Sequence, residues 1–128
     1  MSNPVTPMGP KTSIGLDQNV AGALAYVLGP ITGILFLILE KENRFVRFHA
    51  MQSTILGVAW IAVSFVLSLL AGIVAFVPVI GWIVTMLVSV GLAAVGFLLW
   101  LVLMWRAFQG EDWEVPFAGP IARKQIGG

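Results

Sequence analysis

Charge is scarce in this sequence, and its absence over long stretches is the most informative feature. Charged residues make up 10% of the chain and hydrophobic residues 59%, against about 25% and 45–50% in soluble domains. No Asp, Glu, Lys or Arg occurs at residues 18–39 or 48–105. A small soluble domain has too much surface to hide that many apolar side chains. The composition therefore indicates an integral membrane protein.

Cysteine is absent altogether, which excludes disulfides, thiolate nucleophiles and cysteine-ligated metals. The net charge of +1 and the lack of a basic cluster speak against a nucleic-acid partner. No Gly-rich phosphate loop or nucleotide motif is present. His49 is the only histidine, and no nucleophile with a third orienting group accompanies it. We therefore predict a protein that is not an enzyme and has no cofactor or metal. A proton-linked role for His49 is an alternative to a structural one.

The charge-free stretches have the lengths of membrane crossings. A bilayer core is about 30 Å thick and takes roughly 20 helical residues to cross. The shorter stretch fits one crossing, and the longer stretch fits two joined by an apolar turn around Pro78 and Gly81. The sequence predicts an all-α protein with three transmembrane helices. The predicted parts are a disordered or interfacial tail at 1–16, a transmembrane domain at 17–106 with spans at about 19–39, 50–75 and 82–104, and a cytoplasmic tail at 107–128.

Span one contains Gly29-Pro30 at its middle. Membrane helices tolerate such pairs, so we expect a kink and not a break. The alternative is a re-entrant pair of half-helices, which moves the N-terminus to the other side of the membrane. Small residues recur every fourth position at Ala21, Ala25, Gly29 and Gly33. This stripe is typical of close helix packing, although chance in a Gly-rich chain also produces it.

Basic residues are distributed unevenly across the predicted threading. With three spans, Lys11 alone lies on one side, and the other side holds Lys41, Arg44, Arg47, Arg106, Arg123 and Lys124. The positive-inside rule places the richer side in the cytoplasm. The N-terminus is then predicted outside and the C-terminus cytoplasmic.

Candidate functional residues concentrate where span two enters the membrane. His49 and Gln52 share one face of the predicted helix, where unpaired polar groups are costly. We expect the tail carboxylates of Glu111, Asp112 or Glu114 to pair with them. Arg47 is expected to meet lipid phosphate or Glu40 and Glu42, and to act on the same tail contact. The candidate functional or interface residues are Arg47, His49, Gln52, Gly29 and Gly33.

The stretch Tyr26–Ser53, YVLGPITGILFLILEKENRFVRFHAMQS, resembles a family of small prokaryotic membrane proteins. The same resemblance extends to Gln109–Pro116. That family is distantly related to a subunit of the chloroplast inner-envelope protein import machinery. The resemblance implies a multi-pass membrane fold without enzyme activity, and only by analogy a link to translocation.

We therefore expect a multi-pass protein of a prokaryotic plasma membrane. Its predicted role is a self-associating structural or assembly subunit of a membrane complex, with a link to translocation. The alternative is a homo-oligomeric channel for ions or small solutes. The expected partners are the lipid bilayer and further copies of the chain or other membrane subunits.

Overall fold

A computed structural model describes residues 12–127 of the chain. Its regular elements are helices, and the predicted all-α class is confirmed. In chain order the helices are α1 Gln18–Leu24, α2 Pro30–Leu39, α3 Arg44–Val74, α4 Ile80–Phe108 and α5 Ala118–Gln125.

Two helices, α3 and α4, are long and apolar enough to cross a membrane. Asn43 begins α3, because its side-chain oxygen accepts a hydrogen bond from the Val46 N–H at 3.1 Å, as N-cap residues do. A short turn after Val74 reverses the chain into α4, and Gly81 packs so closely on the Val74 carbonyl that a Cβ there would overlap it. The spans predicted at 50–75 and 82–104 lie almost entirely within these two helices.

The predicted first span is not one helix. A turn at residues 25–29 separates α1 from α2, and Gly29 has φ +61° and ψ −125°, a conformation that only glycine adopts readily. Pro30 then occupies the first turn of α2, where its missing N–H costs nothing. The predicted kink was wrong, since glycine followed by proline reverses the chain here. With 7 and 10 residues, neither helix is long enough to cross a bilayer.

The α1–α2 hairpin enters and leaves at the same level of the molecule. Ser13, just before α1, donates from its N–H and Oγ to Glu40 Oε1, just after α2, at 2.9 and 2.8 Å. Gln18 Oε1 accepts from Asn43 Nδ2 at 3.1 Å. The predicted three-span threading, which puts residues 13 and 40 on opposite sides of the membrane, is not confirmed by these contacts.

The end of α4 lies in the same layer. Asn19 Nδ2 donates to the Phe108 carbonyl at 2.6 Å. The start of α1, the end of α2, the start of α3 and the end of α4 therefore form one polar layer, which we call the end layer. The turn between α3 and α4 lies at the opposite end of the two long helices.

The hairpin packs on α3 and α4 through small residues. A Cβ on Gly33 would lie 2.6 Å from Thr54 Oγ1 and 2.7 Å from the Ala50 carbonyl, so α2 touches the α3 backbone there. Ala21 and Ala25 have no exposed surface. Gly29 is different, because a Cβ there would meet nothing within 4 Å. Of the predicted stripe, Gly33 lies at a helix contact and Gly29 supplies the break.

The predicted terminal tails are only partly described. Residues 1–11 of the predicted N-terminal tail lie outside the described residues. Residues 12–16 form a turn in which the Thr12 N–H donates to the Leu16 carbonyl at 2.8 Å. After α4, residues 111–115 run without regular structure to α5.

Candidate functional site

Three buried polar side chains form the centre of the site, one from the hairpin and two from α3. The Tyr26 hydroxyl lies 2.7 Å from His49 Nδ1, and Gln52 Nε2 donates to that hydroxyl at 2.8 Å. His49 Nε2 lies 2.8 Å from the Glu111 carbonyl. A carbonyl only accepts, so Nε2 carries the imidazole proton, Nδ1 accepts, and the Tyr26 hydroxyl donates to it. The chain of bonds runs in one direction, from Gln52 through Tyr26 and His49 to the tail.

The tail segment, residues 111–115, is held mainly through its main chain. Besides the Glu111 carbonyl, the Trp113 carbonyl accepts from Gln52 Nε2 at 3.1 Å. The Val115 N–H donates to Gln52 Oε1 at 2.9 Å. Successive residues of an extended chain point to opposite sides, so these alternate residues turn one edge toward α3. His49 and Gln52 contact that edge as a neighbouring strand would.

Tail side chains add packing and ion pairs to this contact. Trp113 and Val115 pack against a buried cluster that includes Tyr26 and Leu103. The Arg106 guanidinium lies 5.1 Å from the centre of the Trp113 ring, a cation–π distance. The tail therefore docks through hydrogen bonds, apolar contact and charge together.

Arg123 of α5 holds the two acidic residues of the tail segment. It contacts Glu114, and its Nη2 lies 2.7 Å from Asp112 Oδ2. The hydrogen bond from Arg123 lowers the pKa of Asp112, and Glu114 and Asp112 together raise the pKa of Arg123. The same guanidinium lies 4.2 Å from the centre of the Phe48 ring. Arg123 therefore folds the tail on itself and fixes it to α3.

These contacts correct part of the sequence prediction. His49 and Gln52 do meet the tail, but their partners are main-chain groups and not the carboxylates of Glu111, Asp112 or Glu114. The carboxylates pair with Arg106 and Arg123 instead. The physical reason is the orientation of the tail, whose main-chain edge faces α3 while its acidic side chains face Arg106 and Arg123.

Arg47 does not belong to this contact. Its Nη1 donates to the Leu37 carbonyl at 3.1 Å and to the Glu40 carbonyl at 2.9 Å. These carbonyls end α2, where cations and donors are favourable. The expectation that Arg47 acts on the tail was wrong, and its partner at Glu40 is the main chain and not the carboxylate.

Glu40 is a second fixed point of the end layer. Its buried carboxylate accepts from the Ser13 N–H and hydroxyl at Oε1, and from the N–H groups of Glu42 and Asn43 at 3.0 and 2.8 Å at Oε2. Burial alone would raise its pKa, but the donated hydrogen bonds outweigh burial and lower the pKa of Glu40. The carboxylate thus ties the entry of the hairpin to its exit.

Side-chain donors add to the main-chain hydrogen bonds of the hairpin tip. Trp100 Nε1 donates to the Tyr26 carbonyl at 2.7 Å, and Ser53 Oγ donates to the Gly29 carbonyl at 2.9 Å. Thr32 Oγ1 donates to the Ala25 carbonyl at 3.0 Å. Non-helical backbone at membrane depth is tolerated only when it is satisfied in this way. Beside the tip lies an apolar groove of about 370 Å³ between α3 and α4, walled by Trp60 and Trp100.

Sequence reasoning missed Tyr26, Trp100, Glu40 and Arg123. Tyr26 is the only tyrosine and lies in a charge-free stretch, and a buried tyrosine hydroxyl usually finds a partner. That signal was available. The partners of Trp100, Glu40 and Arg123 are set by the fold, and nothing in their local sequence indicates them.

His49 and Gln52 therefore bind the main chain of the tail segment. Both ring nitrogens of His49 are occupied, by Tyr26 and by the Glu111 carbonyl. Among residues 12–127, no group of three or more His, Asp and Glu side chains could hold a metal ion.

Comparison with known proteins gives relatives over most of the chain. Residues 17–122 match the magnetosome magnetite crystal formation protein family. A UPF0132 membrane protein of Methanocaldococcus jannaschii is 50% identical over 115 residues, which cover 89% of this chain and 93% of the relative. One from Archaeoglobus fulgidus is 49% identical over 113 residues, which cover 88% and 99%. No solved structure matches.

These relatives confirm the predicted membership in a family of small prokaryotic membrane proteins. The distant relation to the chloroplast import component stays a prediction. The family match takes in every helix from α1 to α4 and reaches into α5, so it contains the hairpin, both long helices and the tail contact. The chain belongs to the magnetosome magnetite crystal formation protein family, and its archaeal relatives are named as membrane proteins.

Proposed function

We propose that this chain is a non-enzymatic, self-associating structural subunit of a prokaryotic plasma membrane. It crosses the bilayer twice, through α3 and α4, and the α1–α2 hairpin dips into the membrane from the end layer and returns. Two further parts of the predicted role stay predictions: a partner subunit and a link to translocation.

The distribution of charge supports this threading. All the described basic residues belong to the end layer or to the tail that docks on it. They are Lys41, Arg44, Arg47, Arg106, Arg123 and Lys124. The six basic residues of the described part of the chain therefore lie together at one end of the two long helices. The positive-inside rule makes that side cytoplasmic in the proposed threading.

The observation that carries self-association is the state of the small residues in the long helices. Gly57 and Gly96 are used inside the chain, against Pro30 and Trp60. Gly72 and Gly91 meet nothing within 4 Å. Lipid offers no hydrophobic drive for helix association, so helices pair where small residues permit close approach. These two glycines leave room for a helix of another copy.

The long helices also bury little within one chain. The most apolar stretch of α3 contains no buried residue, and 6% of the residues in the most apolar stretch of α4 are buried. Lipid covers such surface without penalty, so exposure alone does not require a partner. It leaves the faces around Gly72 and Gly91 open to one.

The channel alternative needs polar groups that are free to line a lumen. The hydroxyls of Thr32, Ser53 and Thr85 instead donate to main-chain carbonyls of the same chain. This observation favours the structural role, and the channel stays the second candidate. Ion flux through purified protein in liposomes tests it directly.

The family description concerns formation of magnetite crystals in magnetosomes. The proposal for this chain consists of the membrane-embedded assembly argued above and includes no chemical step on the mineral.

Native mass spectrometry from lipid nanodiscs tests self-association. We expect more than one copy per particle, and fewer copies for Gly72→Leu and Gly91→Leu because bulk there blocks helix approach. Leu87→Ile, at an exposed position of α4, is the matched control and should leave the copy number unchanged. A wild-type protein that is monomeric at every lipid ratio would overturn the proposal.

A further inference from the structure

The docking site for the tail recognises features that any copy of this chain carries. His49 and Gln52 contact the carbonyls of Glu111 and Trp113 and the N–H of Val115. Both side chains come from α3, and Tyr26 from the hairpin orients them. The polar groups of the receptor half therefore come from α3 and the hairpin, and the α4 of the same copy adds apolar contacts through Leu103.

The ligand half is equally self-contained. Within residues 111–125, Arg123 pairs with Asp112 and Glu114, and a Cβ on Gly119 would press against Glu114. The tail segment and α5 therefore form one compact unit, which we call the tail unit. It presents the Arg123 guanidinium to the Phe48 ring and one main-chain edge to α3.

Two residues, Gln109 and Gly110, join the tail unit to α4. Gly110 has φ +83°, a conformation that disfavours other residues. It returns the chain on the end of α4, where the N–H of Gly110 donates to the Ala107 carbonyl at 3.0 Å and that of Glu111 to the Arg106 carbonyl at 3.0 Å. The left-handed residue is needed for the tail unit to fold back on its own α3.

We propose that the receptor half of this site also takes the tail unit of a second copy, so that two neighbouring chains exchange tails. This inference rests on the self-association proposed above and names the contact that links the copies on the cytoplasmic side. The docked contacts are identical within one chain and between two. The balance between the two forms then depends on the hinge at Gly110 and on how close the copies lie, as in other exchanges of identical elements.

The reach of the hinge limits the geometry. Between Phe108, the last residue of α4, and Glu111, the first docked residue, the chain spans at most about 10 Å. Exchange therefore requires the α4 end of one copy to lie directly beside the α3 start of the other. Tail exchange and a close cytoplasmic contact between copies are one event.

Two full-length variants separate docking between chains from docking within one. In the first, His49→Ala and Gln52→Ala remove the receptor half and keep the tail. In the second, Val115→Pro removes the N–H that donates a hydrogen bond to Gln52 Oε1, and the receptor half stays intact. Neither variant can form the complete contact alone. Arg47→Ala, which affects only the α2 end, is the control that keeps both halves.

The readout is tryptic cleavage at Arg123, followed by mass spectrometry that distinguishes the two variants. Cleavage should be fast in the receptor variant alone and at least several-fold slower when the Val115→Pro variant is co-expressed with it. Heteromers in native mass spectra with no protection would overturn tail exchange and leave self-association standing. If no heteromers form, self-association itself fails, and tail exchange with it.

A second variant shifts the hinge and leaves both halves intact. Gly110→Ala strains the positive φ that the fold-back requires, but not an extended hinge. We expect this variant to raise the dimer fraction above that of the wild type while Arg123 stays protected from trypsin. Loss of protection without more dimer would show that the tail docks only within its own chain.

Discussion

At the scale of single residues, this protein places polar groups in an apolar chain wherever the backbone leaves a helix. Tyr26, Trp100 and Ser53 lie near the hairpin tip, and each takes part in a bond that keeps a carbonyl or another side chain satisfied. An unpaired polar group in an apolar environment costs several kcal/mol. Side chains from α2, α3 and α4 therefore stabilise the reversal at Gly29 together with its main-chain hydrogen bonds.

Trp100→Phe tests the satisfaction of the tip. The change keeps the aromatic packing but removes the Trp100 donor to the Tyr26 carbonyl, which retains the longer hydrogen bond from the Gly29 N–H at 3.2 Å. Loss of one such hydrogen bond costs about 0.5–1.5 kcal/mol. We expect a lower midpoint of thermal unfolding in detergent. Trp105→Phe, at a largely exposed position, should change the midpoint little. Equal effects of both variants would contradict the assigned role.

Glu40 gives a pH-dependent contribution whose sign follows from its hydrogen bonds. Because its folded pKa lies below the ordinary value, its contribution to stability is present above the unfolded pKa of about 4.3. The contribution is lost as pH falls through the folded pKa. Glu40→Gln should therefore be less stable than the wild type at pH 7, with the difference shrinking below about pH 4. Glu42→Gln, at an exposed side chain, is the control, and a constant gap across pH would contradict this account.

At the scale of elements, glycines decide which helices touch. The α1–α2 hairpin lies flat on α3 because Gly33 and Gly57 present no side chain to the opposing surface. Gly81 does the same where α3 turns into α4. Gly72 and Gly91, in the same two helices, have open space. Glycines therefore allow close helix contact within the chain in one place and leave a helix face open in another.

Gly57→Ala and Gly72→Ala separate these two uses. A Cβ at Gly57 would overlap the Pro30 ring, and overpacking typically costs about 1–3 kcal/mol. At Gly72 the added methyl meets nothing in the chain, and Ala favours a helix over Gly by about 1 kcal/mol. Thermal unfolding of monomeric protein in detergent should show Gly57→Ala lower and Gly72→Ala equal or higher than the wild type. A destabilised Gly72→Ala monomer would place that residue in a contact within the chain.

At the scale of the whole molecule, the hairpin changes the sidedness of the chain. Residues 12–19, 40–43 and 108–115 share one layer. In the proposed threading, the turn between α3 and α4 is the part of the described chain that faces the other side. The absence of cysteine makes the threading directly measurable.

Single cysteines report the sidedness of four positions in intact cells. Cys at Asn3, Asn43 or Gln125 should resist an impermeant thiol reagent, because all three positions are cytoplasmic in the proposed threading. Cys at Val77, in the α3–α4 turn, should react. After the cells are permeabilised, all four should react, which controls for buried thiols. Labelling of Asn3 from outside would restore the three-span threading.

The sequence by itself determined the membrane environment, the fold class and the two long helices. Long stretches without charge leave only lipid as their environment, and lipid requires helices there. It also placed His49 and Gln52 against the tail, since polar groups at the membrane surface need partners. These conclusions depend on local composition and spacing, which a sequence contains in full.

Only the tertiary structure decided the break at Gly29-Pro30, the partners of Arg47 and the way the tail is held. A glycine–proline pair permits both a kink and a reversal, and the choice depends on whether distant groups such as Ser53 and Trp100 can satisfy the freed carbonyls. The same holds for the tail, whose main-chain edge meets Gln52 from 61 to 63 residues away in sequence. Contacts over such separations have no local pattern, because they arise only when the helices have packed.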